Sequence, residues 1–244
     1  MDLLRRTGSK KVSERPTQED VSRARNLLRE AGYVVVPEKM GARYLLDMGF
    51  DVMTVFDVGV NKGTPGLYRA FKDKEIVLID PRKESIEATE RRFPKISFIS
   101  EVCAAGSTYG TATLHIPDRG GRSSIHARAP LTAGDVSQTL DVPVRRLDYL
   151  AKTYSLRGPF GIKIDTEGYE LEVLKGATEI LPNTQFVIAE VSVKRRFENG
   201  YRFSEIIIFM RDHGFELLDT LTFKRRPSSW IDCLFVRSDN AIFG

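Results

Sequence analysis

Cysteine is scarce, with two in 244 residues, Cys103 and Cys233. Two cysteines build neither a disulfide framework nor a zinc site. Both sit in apolar surroundings and read as buried thiols, so a reducing cytoplasm is the expected compartment. No apolar run reaches the ~18 residues needed to cross a bilayer. The opening MDLLRRTGSKK is basic but has no apolar h-region, so it does not read as a secretory signal. There are no internal repeats and no low-complexity tracts. Aromatics do not interleave with the basic residues, which argues against a stacking platform for nucleic acid. The net charge of +4 is a mild basic excess. It suits an anionic cofactor, substrate or membrane surface without choosing among them.

What is present is enough apolar sequence, 41%, for a real core. The length fits one large domain, or one domain with an extension. Residues 1–50 read as a charged tail and two helices, the helices laid as a cap over the remainder of the chain. TQEDVSRARNLLREAG (17–32) carries helix start and stop signals, with Val21, Ala24, Leu27 and Leu28 as its apolar stripe. A second short helix is expected over 38–48.

Residues 51–244 show a different pattern, in which short apolar runs alternate with helical stretches. The runs are MTVFDVG (53–59), EIVLID (75–80), ISFIS (96–100), FGIKID (160–165) and QFVIAEV (185–191). They lack strict polar alternation, as strands buried on both faces do in a parallel sheet covered by helices. Helices are expected over 65–72, 82–93, 168–181 and 203–213. FELLDTL and WIDCLFVRS come next with no helix between them and read as an antiparallel hairpin. TATLHI and VPVRRL read as a second hairpin, with a Gly/Arg/Ser-rich loop between them that could close as a lid. The expected fold is α/β: a Rossmann-like, doubly wound, mostly parallel sheet ending in an antiparallel hairpin, as in class I methyltransferases.

In such sheets ligands bind outside the carboxyl ends of the strands, at the switch point. FDVGVNKG (56–63) is one such exit. Gly59 and Gly63 let the backbone turn tightly and let a ligand lie against it. Their spacing is not the dinucleotide fingerprint, which points away from a pyrophosphate and toward a nucleoside without phosphates. S-adenosylmethionine is such a ligand, and Asp57 could accept its ammonium. Asn61 lies in the same turn. Asp80 closes the next strand, where a carboxylate accepts ribose hydroxyls. The alternatives are that the glycines serve only the turn and that Asp80 caps a helix. Asp165 and Glu167, at the exit of FGIKID, sit at the same rim, and Glu190 adds a third acid. Thr166 reads as a helix N-cap, with Glu170 and Glu172 on a solvated helix face.

DVGVNKG, LID and the run IKIDTEGYELEVLKGA (162–177) resemble the FkbM family of S-adenosylmethionine-dependent methyltransferases. The similarity spans roughly 52–192 and includes the Ser-Ser of GGRSSI and LDYL. Val60 departs from the alanine usual in the family. The resemblance implies methylation of a hydroxyl on a sugar, glycolipid or polyketide. Asp57, Gly59, Asn61, Gly63, Asp80 and Asp165 are the candidates for holding the cofactor. Asp165 or Glu167 is the candidate base that removes the hydroxyl proton. Mg²⁺ would suit these oxygens and lower the hydroxyl pKa, but it is not favoured and no metal ligand is assigned. His126 is a minor candidate, through the loop; His115 and His213 read as structural. Lys194-Arg195-Arg196 and Lys224-Arg225-Arg226 read as solvated loop charge, or else as attraction to a phosphate-bearing or lipid-linked acceptor or a membrane surface. Two other readings stay open: N-methylation of protein or nucleic acid, and a nucleoside-binding module that no longer reacts. The first lacks the N/D-P-P-[YF] signature, with Asp-Thr-Glu-Gly at that strand end. The second would show a missing acid or glycine, and none is missing.

Overall fold

A computed structural model describes residues 17–33, 40–117, 123–128, 136–221 and 228–244. The chain divides into two units, Met1–Glu38 and Lys39–Gly244. The first holds helix α1 (Gln18–Glu30). Its start is a reciprocal box: the Asp20 N–H donates to the Thr17 hydroxyl, and the Thr17 N–H donates to the Asp20 carboxylate. Such a cap is worth about 1 kcal/mol.

The second unit is built on a seven-stranded sheet among the described residues. Its elements begin with α2 (Ala42–Asp47), β1 (Thr54–Val58), α3 (Pro65–Ala70), β2 (Glu75–Ile79), α4 (Lys83–Arg92) and β3 (Phe98–Glu101). After an inserted segment come α5 (Leu147–Thr153), β7 (Phe160–Ile164), α6 (Glu170–Lys175), β8 (Thr184–Ser192), α7 (Phe203–Asp212), β9 (Phe215–Thr220) and β10 (Trp230–Arg237). The insertion holds β4 (Ala104–Ala105), β5 (Gly110–Pro117) and β6 (Val136–Arg145), which form a small separate sheet. The large sheet runs β3-β2-β1-β7-β8-β10-β9, parallel through β8 and antiparallel at β10 and β9. This is the doubly wound class I methyltransferase arrangement, closing on the expected hairpin.

Residue alternation explains why the sheet is covered on both faces. Phe56, Val58, Val77 and Ile79 join one apolar cluster with Leu150, Leu174 and Met210 from α5, α6 and α7. Val55, Ile76 and Leu78 join a second cluster with Leu45, Leu67 and Ile86 from α2, α3 and α4. Successive strand residues point to opposite faces, and both faces are apolar. Each such side chain contributes about 1.5–3 kcal/mol by leaving water. Cys103 and Cys233 are buried free thiols in the first of these clusters.

One local expectation is corrected. The helix after β7 starts at Glu170, not near Gly168, and ends at Lys175. Its N-cap is Tyr169, with no side-chain capping bond, so Thr166 is not the cap. The reason is the backbone: Glu167 and Gly168 have φ of 53° and 100°, which no right-handed helix can hold. Lys224, Arg225 and Arg226 lie outside the described residues.

Candidate active site

The register brings three strand exits level. Val58 of β1 faces Ile79 of β2 and Ile164 of β7. The next residues, Gly59, Asp80 and Asp165, therefore emerge side by side at the switch point, as expected for a ligand site. The Gly59 N–H donates to the Ile79 carbonyl at 2.9 Å, and the Asp165 N–H to the Val58 carbonyl at 2.9 Å. What passes close to Gly59 is the chain itself. A Cβ there would lie 1.9 Å from the Asp165 carbonyl oxygen, and Gly59 has φ +77°. Gly63 serves the turn in the same way, packed against Thr89 and Tyr68.

A cavity of about 670 Å³, open to solvent, spans these exits. Gly59, Asn61, Asp80, Asp165 and Glu167 all line it. The Asp80 carboxylate accepts from the Asn61 N–H at 3.0 Å and the Arg82 N–H at 2.8 Å. These bonds aim it and leave lone pairs for a ligand. Burial pushes the Asp80 carboxyl above its ordinary range, opposed by those two amides. Cys103, Ala105, Leu114 and Ile125 add apolar surface to the lining.

Asp57 does not line this cavity. It is fully buried, accepting from the Tyr68 hydroxyl and paired with Lys163 Nζ at 3.0 Å. Lys163 also donates to the Gly59 carbonyl at 3.1 Å and stands 3.8 Å from Asp165. Burial opposes charge on Lys163, but Asp57 and Asp165 outweigh it and raise the ammonium pKa. The lysine thus ties the β1 exit to the β7 exit from beneath.

Asp165, Glu167 and Glu190 each bring a carboxylate oxygen within 4.8 Å of the others. Three such oxygens are a hard ligand set, but a guanidinium already bridges two of them. Arg196 donates to Glu190 at 2.9 Å and to Glu167, while Arg128 stands 3.8 Å from Glu167. Arg196 is 6% exposed, so reading all of Lys194-Arg195-Arg196 as solvated charge is corrected for this residue. Asp165 differs from its neighbours, with its side chain 35% exposed at the cavity.

Burial, then the charges of Asp165 and Glu167, push the Glu190 carboxyl up to about 8. Its folded pKa thus exceeds the unfolded value of about 4.3. The folded state binds the extra proton, so this stabilisation is complete below that value and lost as pH rises through about 8. Glu190→Gln keeps an acceptor for Arg196 and removes the titration. Thermal unfolding at pH 5–9 is expected to show wild type losing more stability than this variant toward alkaline pH. Parallel curves would show that Glu190 is ionised throughout.

Glu170 overturns its sequence reading as a solvated residue. It is fully buried. Its carboxylate accepts from the N–H groups of Thr166 and Gly168, both at 3.0 Å, and from the Tyr201 hydroxyl at 2.7 Å. It caps the Asp165–Gly168 loop from inside and holds Glu167 in its left-handed conformation. Glu172 is part-buried and accepts from Ser107 and Lys175.

Segment 123–128 crosses beside this loop. Ser124 pairs with His115 in a β-bridge and its hydroxyl donates to the Glu167 carbonyl at 2.7 Å. Ser123, Ser124 and Ile125 line the cavity. His126 packs edge-on against Tyr169, with ring centroids 5.0 Å apart. Burial lowers its pKa, with Glu172 opposing. His213 caps α7, its Nδ1 2.7 Å from the Phe209 carbonyl.

Sequence reasoning missed Lys163, Arg196, Glu170 and Tyr201. Lys163 did leave a signal, since a lysine inside the apolar run FGIKI needs a buried anion.

Comparison with known proteins matches this architecture. The methyltransferase FkbM domain pattern covers residues 57–217. The chain therefore belongs to the FkbM methyltransferase family, and it is an S-adenosylmethionine-dependent methyltransferase. No curated protein sequence matches it. Among solved structures, the magnesium protoporphyrin IX methyltransferase of Synechocystis PCC 6803, with bound S-adenosylmethionine, is similar at 9% identity and TM-score 0.46, covering 90% of this chain and 82% of that one. A methyltransferase of Clostridium acetobutylicum is similar at 9% identity and TM-score 0.45, covering 90% and 98%. TehB of Haemophilus influenzae is similar at 8% identity and TM-score 0.46, covering 87% and 66%. At these identities and scores they carry no argument about this chain's activity. Among the described residues, no helix is long and apolar enough to cross a membrane.

Proposed function

We propose that the protein transfers a methyl group to a hydroxyl of a sugar, glycolipid or other small-molecule acceptor. The observation that carries this reading is the position of Asp165. It is an acid at the cavity rim, part-exposed, beside two acids that Arg196 holds by hydrogen bonds. S-adenosylmethionine supplies an electrophilic methyl group when bound, so the protein's tasks are positioning and proton removal. The donor set fits that cofactor. Asp80, aimed by two amides, would accept from ribose hydroxyls, and Gly59 and Asn61 offer close backbone. Asp57 would act through Lys163, by fixing the floor of the cavity. Asp165 would accept the hydroxyl proton of the acceptor. Arg196 already supplies positive charge to Glu167 and Glu190, so the reading includes no Mg²⁺.

Asp80→Ala is expected to weaken S-adenosylmethionine binding by about tenfold or more, because two ribose hydroxyls lose an ionised acceptor. Calorimetry on the folded variant checks this, and unchanged affinity would remove the ribose assignment. The acceptor class is tested with labelled methyl donor and a panel of hydroxyl and amine compounds, followed by mass spectrometry. Label on oxygen supports the reading; label on nitrogen overturns it.

A further inference from the structure

A buried ammonium needs anions to offset its lost hydration. Lys163 lies in β7, buried, in a strand whose Phe160, Ile162 and Ile164 join the apolar core. Asp57, level with it on β1, supplies one anion at 3.0 Å. That pair is not required to join the strands, which already pair over five residues. Apolar side chains of similar volume often pack there as well or better. The lysine therefore asks for a second reason.

The second anion is Asp165. Strand alternation sets residues 163 and 165 on one face, and Lys163 Nζ stands 3.8 Å from the Asp165 carboxylate. The other charges around Asp165 are mostly negative. Glu167 of its own loop and Glu190 of β8 lie within 4.8 Å of it, and Glu170 of α6 is within reach of its charge. Asp80 of β2 and Asp232 of β10 are within reach of Lys163. The cations nearby are Arg196, Arg128 and Lys163. Arg196 is committed by hydrogen bonds to Glu167 and Glu190, and Arg128 stands against Glu167. Among the described residues, Lys163 is the one cation paired with Asp165.

This crowding has to be relieved somewhere. Burial, then the charges of Asp165 and Glu167, push the Glu190 carboxyl up to about 8, so Glu190 relieves it by holding a proton. A general base must do the opposite and arrive without one.

We propose that Lys163 is a positioning residue for methyl transfer, the cation that makes Asp165 the charged acid at the cavity while Glu190 holds a proton. The inference rests on Asp165 being the base. Lys163 acts only through Asp165, and Asp57, anchored by the Tyr68 hydroxyl of α3, holds the ammonium in place.

The test is a carbon-13 NMR titration of the full chain labelled at its aspartate carboxyls, with the Asp165 signal assigned from Asp165→Asn. Removing Lys163 alone would strand Asp57, so Asp57→Asn is compared with Asp57→Asn/Lys163→Met. Both variants keep an acceptor for Tyr68, and neither buries an unpaired carboxylate. Asp165 is expected to take up its proton about one pH unit higher in the double variant, the low end of the range for losing an opposite charge ~4–6 Å away, because Asp165 is part-exposed. Equal midpoints would overturn the proposal and leave Lys163 a structural tie. Wild type gives a second check that needs no variant at Lys163. The nitrogen-15 signal of Lys163 Nζ should step where Asp165 takes up its proton, and the step should vanish in Asp165→Asn. No step, or one that survives in Asp165→Asn, would also overturn it. Turnover separates the failures. Full activity in Asp165→Asn rejects the base itself, whereas lost activity there with equal midpoints rejects only the role of Lys163.

Discussion

Asp165→Asn is expected to lower turnover by about 10²–10⁴-fold, the range for removing a general base. The amide is nearly isosteric but cannot take a proton. Its backbone N–H still donates to Val58, so the exit of β7 should hold its shape. Cofactor affinity should change much less than turnover, because Asp80, Gly59 and Asn61 are untouched. The split between turnover and affinity is the informative quantity. Glu167→Gln is the control, and a smaller fall in turnover is expected, since Glu167 is committed to Arg196 and Arg128. Full activity in Asp165→Asn, measured with labelled methyl donor, would place the base elsewhere.

The second large effect is on stability. Glu170→Ala should destabilise the Lys39–Gly244 unit by about 4 kcal/mol, or roughly 10 °C in Tm. The variant leaves the N–H groups of Thr166 and Gly168 and the hydroxyl of Tyr201 without their acceptor in a buried site. Each such group costs about 1–3 kcal/mol, partly relieved by local rearrangement. Tyr201→Phe removes one of these bonds and should cost about 1 kcal/mol. Denaturant unfolding of both variants checks the order. A loss below about 1 kcal/mol for Glu170→Ala would show that water reaches the loop.

The two glutamates of α6 show where sequence reading succeeds and fails. Apolar runs such as EIVLI and FGIKI announced the central strands because both sheet faces are covered. In MTVFDVG the same alternation sends Val55 and Phe56 into different clusters, both apolar. The hairpin of β9 and β10 was legible because no helix separates two apolar runs. Glu170 was not legible. In YELEVL it looks like part of a solvated helix face, and only the left-handed turn at Glu167 and Gly168 carries it inward. Gly59 was legible as a site of close approach, but the partner is the Asp165 carbonyl across the sheet, a contact set by register. Asp57 and Asp80 both close apolar strands and look equivalent in sequence. One faces inward onto Tyr68 and Lys163, and the other lines the cavity. Arg196 was hidden among charged neighbours, and its burial depends on Glu190 at the end of β8 and on Glu167 in the loop after β7.

The central claim is that S-adenosylmethionine occupies the cavity at the exits of β1, β2 and β7. The most direct measurement is an NMR titration of the isotope-labelled chain with that cofactor, following backbone amides. Saturable one-to-one shifts centred on Gly59, Asn61, Arg82 and Thr166 are the predicted result. Saturating shifts confined to other parts of the chain, or no shifts at millimolar cofactor, would contradict it.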